Sequence, residues 1–125
     1  MKKEVIFTES APKAIGPYAQ AIATETMVFT SGQLGIDVAT GELALGVKAQ
    51  AHQSMKNVGA VLAAQGLDYD SIVKTTVFVT DLKDFGVVNE VYGSYFTGAC
   101  PARSCVQVAA LPKGGLVEIE CVAVR

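Results

Sequence analysis

The sequence is poor in charge and has no long apolar run, and each absence argues against a class of protein. Charged residues make up 18% of the 125 residues, below the roughly 25% typical of soluble domains. No apolar run approaches the roughly 18 residues that suggest a membrane span, and Glu4, Thr8 and Glu9 interrupt any apolar core of a signal peptide. The sequence therefore predicts a soluble, cytoplasmic protein without a membrane segment.

Basic residues are equally sparse. Lys2 and Lys3 form the one Lys/Arg cluster, the formal net charge is −2, and the sequence has no basic stripe of the kind that phosphate backbones require. We therefore expect no nucleic-acid partner.

Cysteines are few and unsuited to metal binding. Cys100, Cys105 and Cys121 show no CxxC spacing, and their odd number without a secretory signal predicts reduced thiols. Cys105 has no cation or histidine base arranged to activate it in the sequence pattern, so we interpret it as a pocket wall and not as a nucleophile. The sequence predicts neither a metal site nor a cofactor.

Apolar residues, by contrast, are abundant. They reach 50% of the chain, and the mean hydropathy is +0.37. Two interpretations remain open, a well-filled monomer core and an apolar surface that faces another subunit. The length fits one domain over residues 1–125.

Hydrophobic periodicity predicts a single α+β domain. The predicted strands are residues 4–7, 18–23, 27–31, 72–79, 103–108 and 117–123, and the predicted helices are 47–64 and 85–96. Strand 72–79 is rich in β-branched residues and is predicted to be buried on both faces. Two helices cover only one face of such a sheet, so the other face is expected to be covered by self-association.

The C-terminal quarter, residues 101–120, reads PARSCVQVAALPKGGLVEIE and carries two strands with polar faces. Alternation places Arg103 and Cys105 on one face of the first strand, and Glu118 and Glu120 on one face of the second. If the strands share a sheet, we expect Arg103 and Glu118 on a common face. Such a pair suits either a small anion with an ordered water or a structural ion pair.

Four sequence blocks in this order resemble the YjgF/RidA family. They are IGPYAQA (residues 15–21), TSGQ (30–33), KTTVFVTDLKDF (74–85) and the C-terminal segment 101–120. The resemblance extends from about residue 10 to the C-terminus. It implies the chorismate-mutase-like fold, a mixed sheet with two helices on one face, in a homotrimer with sites at the subunit interfaces.

The resemblance to the RidA type also implies an activity, which is hydrolysis of reactive 2-imino acids such as 2-iminopropanoate and 2-iminobutanoate to 2-oxo acids and ammonia. It assigns the substrate carboxylate to Arg103, the attacking water to Glu118, and a phenolic hydroxyl to Tyr18. Backbone groups at Gly32 and Cys105 would help to fix the substrate.

Ser31 and Asn89 are weaker candidates for substrate binding, and each is equally interpreted as an ordinary strand or helix polar residue. Cys100 departs from the pattern, because the family often has an aromatic residue before PARS. Two further functions remain open by resemblance, RNA cleavage and binding of small ligands or partner proteins without catalysis.

Overall fold

The computed structural model describes residues 2–125 as a sheet of seven strands with two helices. The strands are β1 (Glu4–Ile6), β2 (Ala21–Ala23), β3 (Met27–Thr30), β4 (Gln33–Leu34), β5 (Ile72–Val79), β6 (Ala102–Gln107) and β7 (Val117–Val124). The helices are α1 (Gly46–Ala63) and α2 (Phe85–Gly93), and short 3-10 turns lie at Tyr69–Ser71, Leu82–Asp84 and Pro112–Gly114. The α+β class and the mixed sheet are as predicted.

The sheet order is β1-β2-β3-β7-β5-β6, with β4 also paired to β7. β5 and β6 are parallel, and every other pair is antiparallel. The parallel pair is joined by a crossover that contains α2, as a parallel connection requires. β7 is central, and β6 forms one edge of the sheet.

One face of the sheet is buried beneath both helices. The α1 residues Ala51, Met55, Val58 and Leu62 lie in the core, as their spacing predicts. They pack with alternate residues of the strands, such as Val77, Val79, Val117 and Ile119. The two helices therefore cover one face, as expected.

The opposite face of the sheet is open in the single chain and partly apolar. Paired neighbours bring Val5, Ile22, Phe29 and Val122 into one row across four strands. Val5 is 67% exposed and Phe29 is 45% exposed. The prediction that β5 is buried on both faces is therefore wrong for one chain, because its residues alternate between buried and partly exposed.

Two predicted boundaries also differ from the structure. Tyr18 precedes β2, which begins at Ala21, because Pro17 and the tight turn at Gly16 hold this part of the chain outside the sheet. α2 ends at Gly93, and Tyr95 and Phe96 lie in the following turn. Both aromatic residues still pack against the core.

A stripe of buried, uncharged polar residues runs along α1 beside its apolar stripe. The Gln50 amide donates to the Ala44 carbonyl and accepts from Leu116 N–H. Ser54 Oγ donates to the Gln33 carbonyl at 2.6 Å, and Asn57 Nδ2 donates to the carbonyls that flank Gly35. α1 therefore fixes the main chain of β4, of the loop that follows it and of the residue just before β7.

Candidate functional site

Arg103 lies on edge strand β6, on the face beneath α2, between two aromatic rings. Its guanidinium carbon is 4.9 Å from the ring centroid of Tyr92 and 5.5 Å from that of Phe85. Both distances suit cation–π attraction. The Tyr92 hydroxyl is in turn hydrogen-bonded to Thr75 Oγ1 at 2.6 Å. The aromatic pair therefore restrains the guanidinium while leaving it partly accessible.

Two further candidates belong to this part of the molecule. Asn89 is three residues before Tyr92 and four after Phe85, so it lies on the same face of α2. Its Oδ1 atom is buried without a hydrogen-bond partner, which is uncommon and calls for a donor. Cys105 is two residues along β6 from Arg103 and shares its face. We call these residues, with Arg103, the Arg103 cluster.

The pKa of the Cys105 thiol favours a role in the pocket wall over a role as a nucleophile. Burial raises its pKa, although the nearby Arg103 charge acts in the opposite direction. A raised pKa reduces the thiolate fraction at neutral pH, so it opposes a nucleophilic role.

Glu118 lies in a different place, in a cavity of about 140 Å³ on the opposite side of the sheet. Tyr18, Gly32 and Gln20 line the cavity with it. The other lining residues are Pro12, Lys13, Ile15, Gln33, Leu34, Ile36 and Pro112. We call this the Glu118 cavity.

Gly32 is required sterically beside Glu118. A Cβ atom at position 32 would lie 2.6 Å from the Glu118 carboxyl carbon and 2.9 Å from its Oε1. Such a contact is too close for carbon, so any side chain here would displace the carboxylate. The close approach leaves the main chain of Gly32 accessible to a small ligand beside the carboxylate.

Burial raises the pKa of Glu118, and the charge of Glu120 on the same strand face raises it further. A carboxylate with a raised pKa is a better proton acceptor than an ordinary glutamate and exchanges protons closer to neutral pH. These are the properties of a general base.

Tyr18 lines this cavity, whereas Ser31 directly precedes the lining residue Gly32, and the two hydroxyl groups have different hydrogen-bond partners. The Tyr18 hydroxyl accepts a hydrogen bond from Ile15 N–H at 3.3 Å, which leaves its own proton free to be donated. Ser31 Oγ donates to the Ala19 carbonyl at 2.7 Å, so its proton is already used. Ser31 thus fits a main-chain tether better than a substrate donor.

The expectation that Arg103 and Glu118 share a face is wrong. β5 lies between their strands, and its Thr75 is paired with Arg103 on one side and Cys121 on the other. Cys121 faces the buried side. Glu118, three residues earlier on β7, must therefore face the open side. An ion pair between the two residues within one chain is excluded by this geometry.

The candidate residues thus form two half-sites, one with Arg103, Asn89 and Cys105 and one with Tyr18, Gly32 and Glu118. Their strands are about 10 Å apart, which is two strand spacings. A small molecule cannot contact both half-sites of a single chain.

Within residues 2–125, no group of three or more His, Cys, Asp or Glu side chains is arranged to hold a metal ion. Over the same residues, no helix is long and apolar enough to cross a membrane.

The sequence-based reasoning missed several residues that organise the Glu118 cavity. Gln20 lies within the block IGPYAQA, and the polar stripe of α1 lies outside all four family blocks. A signal was present in the second case, because Gln50, Ser54 and Asn57 recur at spacings of four and three, which places them on one helix face. No comparable periodicity points to Gln20.

The fold and the site define a class of protein: an α+β domain with helices on one sheet face, a guanidinium at one edge and a carboxylate on the open face. The family model described as Endoribonuclease L-PSP matches residues 8–125. The chain belongs to this family, which is the YjgF/RidA family.

Similar proteins match over nearly the whole chain. A 2-iminobutanoate/2-iminopropanoate deaminase of Salmonella typhimurium is 54% identical, over 98% of this chain and 98% of the relative. The mouse protein of the same name is 50% identical, over 98% and 92%. The crystal structure of E. coli TdcF with bound serine has a TM-score of 0.95 and 50% identity, and covers 98% of both chains.

Proposed function

We propose that this protein hydrolyses small 2-imino acids, such as 2-iminopropanoate and 2-iminobutanoate, to 2-oxo acids and ammonia. The observation that carries the proposal is the pair of half-sites, an aromatic-held guanidinium and a carboxylate of raised pKa beside a bare glycine main chain. The names of the similar proteins support the same reaction.

The chemistry requires few groups. Arg103 binds the substrate carboxylate through two parallel charge-assisted hydrogen bonds. Glu118 accepts a proton from water as the water oxygen attacks the imine carbon, and the Tyr18 hydroxyl supports the imine nitrogen by donating to it. Glu118 returns this proton to the nitrogen, which gives the neutral carbinolamine. Glu118 then takes the hydroxyl proton and passes it to the amine nitrogen as the carbon–nitrogen bond breaks, so that ammonia leaves and the 2-oxo acid forms.

A complete site needs two copies of the chain, because Arg103 and Glu118 face opposite sides of the sheet. Arg103 lies on β6, which forms an edge of the sheet. No strand pairs with the outer side of β6, so the main-chain groups on that side are also free to bind another subunit. The Arg103 cluster of one subunit would therefore meet the Glu118 cavity of the next. The unpartnered Asn89 Oδ1 is an acceptor for a donor supplied in that complex.

We propose that the assembly is a homotrimer in the cytoplasm. Exposed apolar residues on the open sheet face, including Val5, Phe29 and Val106, supply a surface that association would bury. A head-to-tail interface that joins two different half-sites forms a closed ring of three subunits when it rotates each subunit by one third of a turn. The number three rests on the family resemblance.

Imine decay provides the test of the activity. A threonine dehydratase generates the imine in the presence of a trapping amine, and the purified protein is added at increasing concentration. We expect faster imine loss and faster ammonia release with the wild-type protein than with Arg103→Ala. Equal rates with and without the protein would refute the proposal. Degradation of RNA, which the description of the family as an endoribonuclease suggests, is measured alongside as the competing hypothesis.

A further inference from the structure

Gln20 is a buried polar residue with an unusually complete set of partners. Its side chain is 3% exposed. Oε1 accepts from Thr8 N–H at 2.7 Å. Nε2 donates to the carbonyls of Thr8, Ala11 and Pro12 at 3.0, 3.3 and 2.9 Å. One amide group therefore holds several main-chain positions of a preceding segment.

That segment, residues 8–15, forms a wall of the Glu118 cavity, and we call it the strap. Pro12, Lys13 and Ile15 of the strap line this cavity together with Glu118. The same three residues also line an adjoining cavity of about 290 Å³. The strap contains no helix or strand, so its own backbone hydrogen bonds do not fix its shape. The Gln20 side chain is the main polar tether found for it.

Gln20 is also joined to the catalytic side of the cavity through its main chain. Its carbonyl accepts a hydrogen bond from Ser31 N–H at 2.9 Å, and Ser31 directly precedes Gly32. Tyr18 is two residues earlier, with its hydroxyl bound to Ile15 N–H of the strap. Gln20 therefore connects the strap, the Tyr18 hydroxyl and the Gly32 main chain.

We propose that Gln20 is a positioning residue for imine hydrolysis, which holds the strap, and through it the Tyr18 hydroxyl, against the Glu118 cavity. The inference rests on the proposed function. The polar atoms of the Gln20 side chain are all hydrogen-bonded to the main chain. Gln20 would therefore contribute to substrate affinity without contacting the substrate.

Two substitutions separate the parts of this tether. Gln20→Glu keeps the acceptor for Thr8 N–H but places an oxygen against the three carbonyl oxygens, which repel it. Gln20→Met keeps the length and removes every hydrogen bond. We expect each variant to raise KM for the imine by about tenfold or more, with a smaller change in kcat, because several hydrogen bonds are lost. Gln20→Asn, which retains both groups on a shorter side chain, is a milder variant should the others fold poorly.

Amide hydrogen exchange supplies a readout that does not depend on activity. We expect faster exchange across the strap in the Gln20 variants, while the amides of α1 keep their protection. The matched control is Val61→Ala, which opens a cavity in the core on α1, at a residue with 0% exposure. This control should lower the melting temperature without raising KM.

The outcomes are distinguishable. A raised KM with a selectively mobile strap supports the positioning role. An unchanged KM in the Gln20 variants, or a KM that rises equally in Val61→Ala of matched melting temperature, overturns it. Failure of the wild-type protein to hydrolyse imines would instead count against the proposed function, and the exchange measurement would still test whether Gln20 holds the strap.

Discussion

Subunit complementation tests the two half-sites directly. Arg103→Ala and Glu118→Ala each remove one half of a site that we place between two copies of the chain. Losing the two charge-assisted hydrogen bonds of Arg103, at about 1.5 to 3 kcal/mol each, weakens binding by about two to four powers of ten. Losing the base at Glu118 costs roughly 10²- to 10⁴-fold in rate. Each variant alone should therefore be nearly inactive.

Mixed assemblies should recover activity by a predictable amount. An active site forms where a Glu118→Ala subunit supplies Arg103 and its neighbour, an Arg103→Ala subunit, supplies Glu118. In an equal mixture that assembles at random in a head-to-tail ring, each condition holds for half of the subunits, so about one quarter of the wild-type activity should return. If both residues acted from one chain, no mixture would contain an intact site.

The assay uses the two variants unfolded together in denaturant and refolded, with imine decay measured against refolded wild-type protein. Each variant refolded alone is the first control, and mixing without unfolding is the second. Light scattering reports whether the refolded species has about three times the 13.0 kDa chain mass. Activity that stays at the level of the single variants, in correctly assembled protein, would refute the shared site.

Four further predictions concern single residues. Gly32→Ala should abolish activity with little loss of fold, since a Cβ there meets the Glu118 carboxyl at 2.6 Å; near-normal turnover would contradict this reasoning. Glu118→Gln should lower kcat far more than Glu120→Gln. Because the pKa of Glu118 is raised in the folded protein, ionisation of its carboxyl group lowers stability as the pH rises through that pKa. Glu118→Gln should therefore also raise the melting temperature at pH 7. Arg103→Lys keeps the charge but loses the planar fork, so we expect a folded protein with badly impaired hydrolysis at low substrate. Asn57→Ala removes two buried donors to main-chain carbonyls at 3.0 and 2.9 Å and should destabilise by about 1 to 3 kcal/mol in denaturant unfolding.

Local pattern in the sequence was sufficient for the elements and their class. The period-two alternation of β7 and the spacing of the α1 core residues predicted both elements within a residue or two, because each depends on neighbours in the chain. The boundaries at Tyr18 and Tyr95 were less accurate, since turns and tertiary packing decide where such segments end.

The candidate residues were also accessible from sequence, through the family blocks, but their arrangement was not. Alternation assigns Arg103 to one side of β6 and Glu118 to one side of β7, and it says nothing about which sides coincide. That choice depends on β5, which pairs with both strands and sets their registers.

The sequence by itself therefore determined the α+β class, the two amphipathic helices and the chemical groups of the candidate site. The tertiary structure alone decided that these groups form two half-sites on opposite faces, and that Gln20 and the polar stripe of α1 hold the main chain around one of them. The physical reason is that strand pairing and buried hydrogen bonds join residues far apart in the chain, such as Gln50 and Leu116, and no local period encodes such partners.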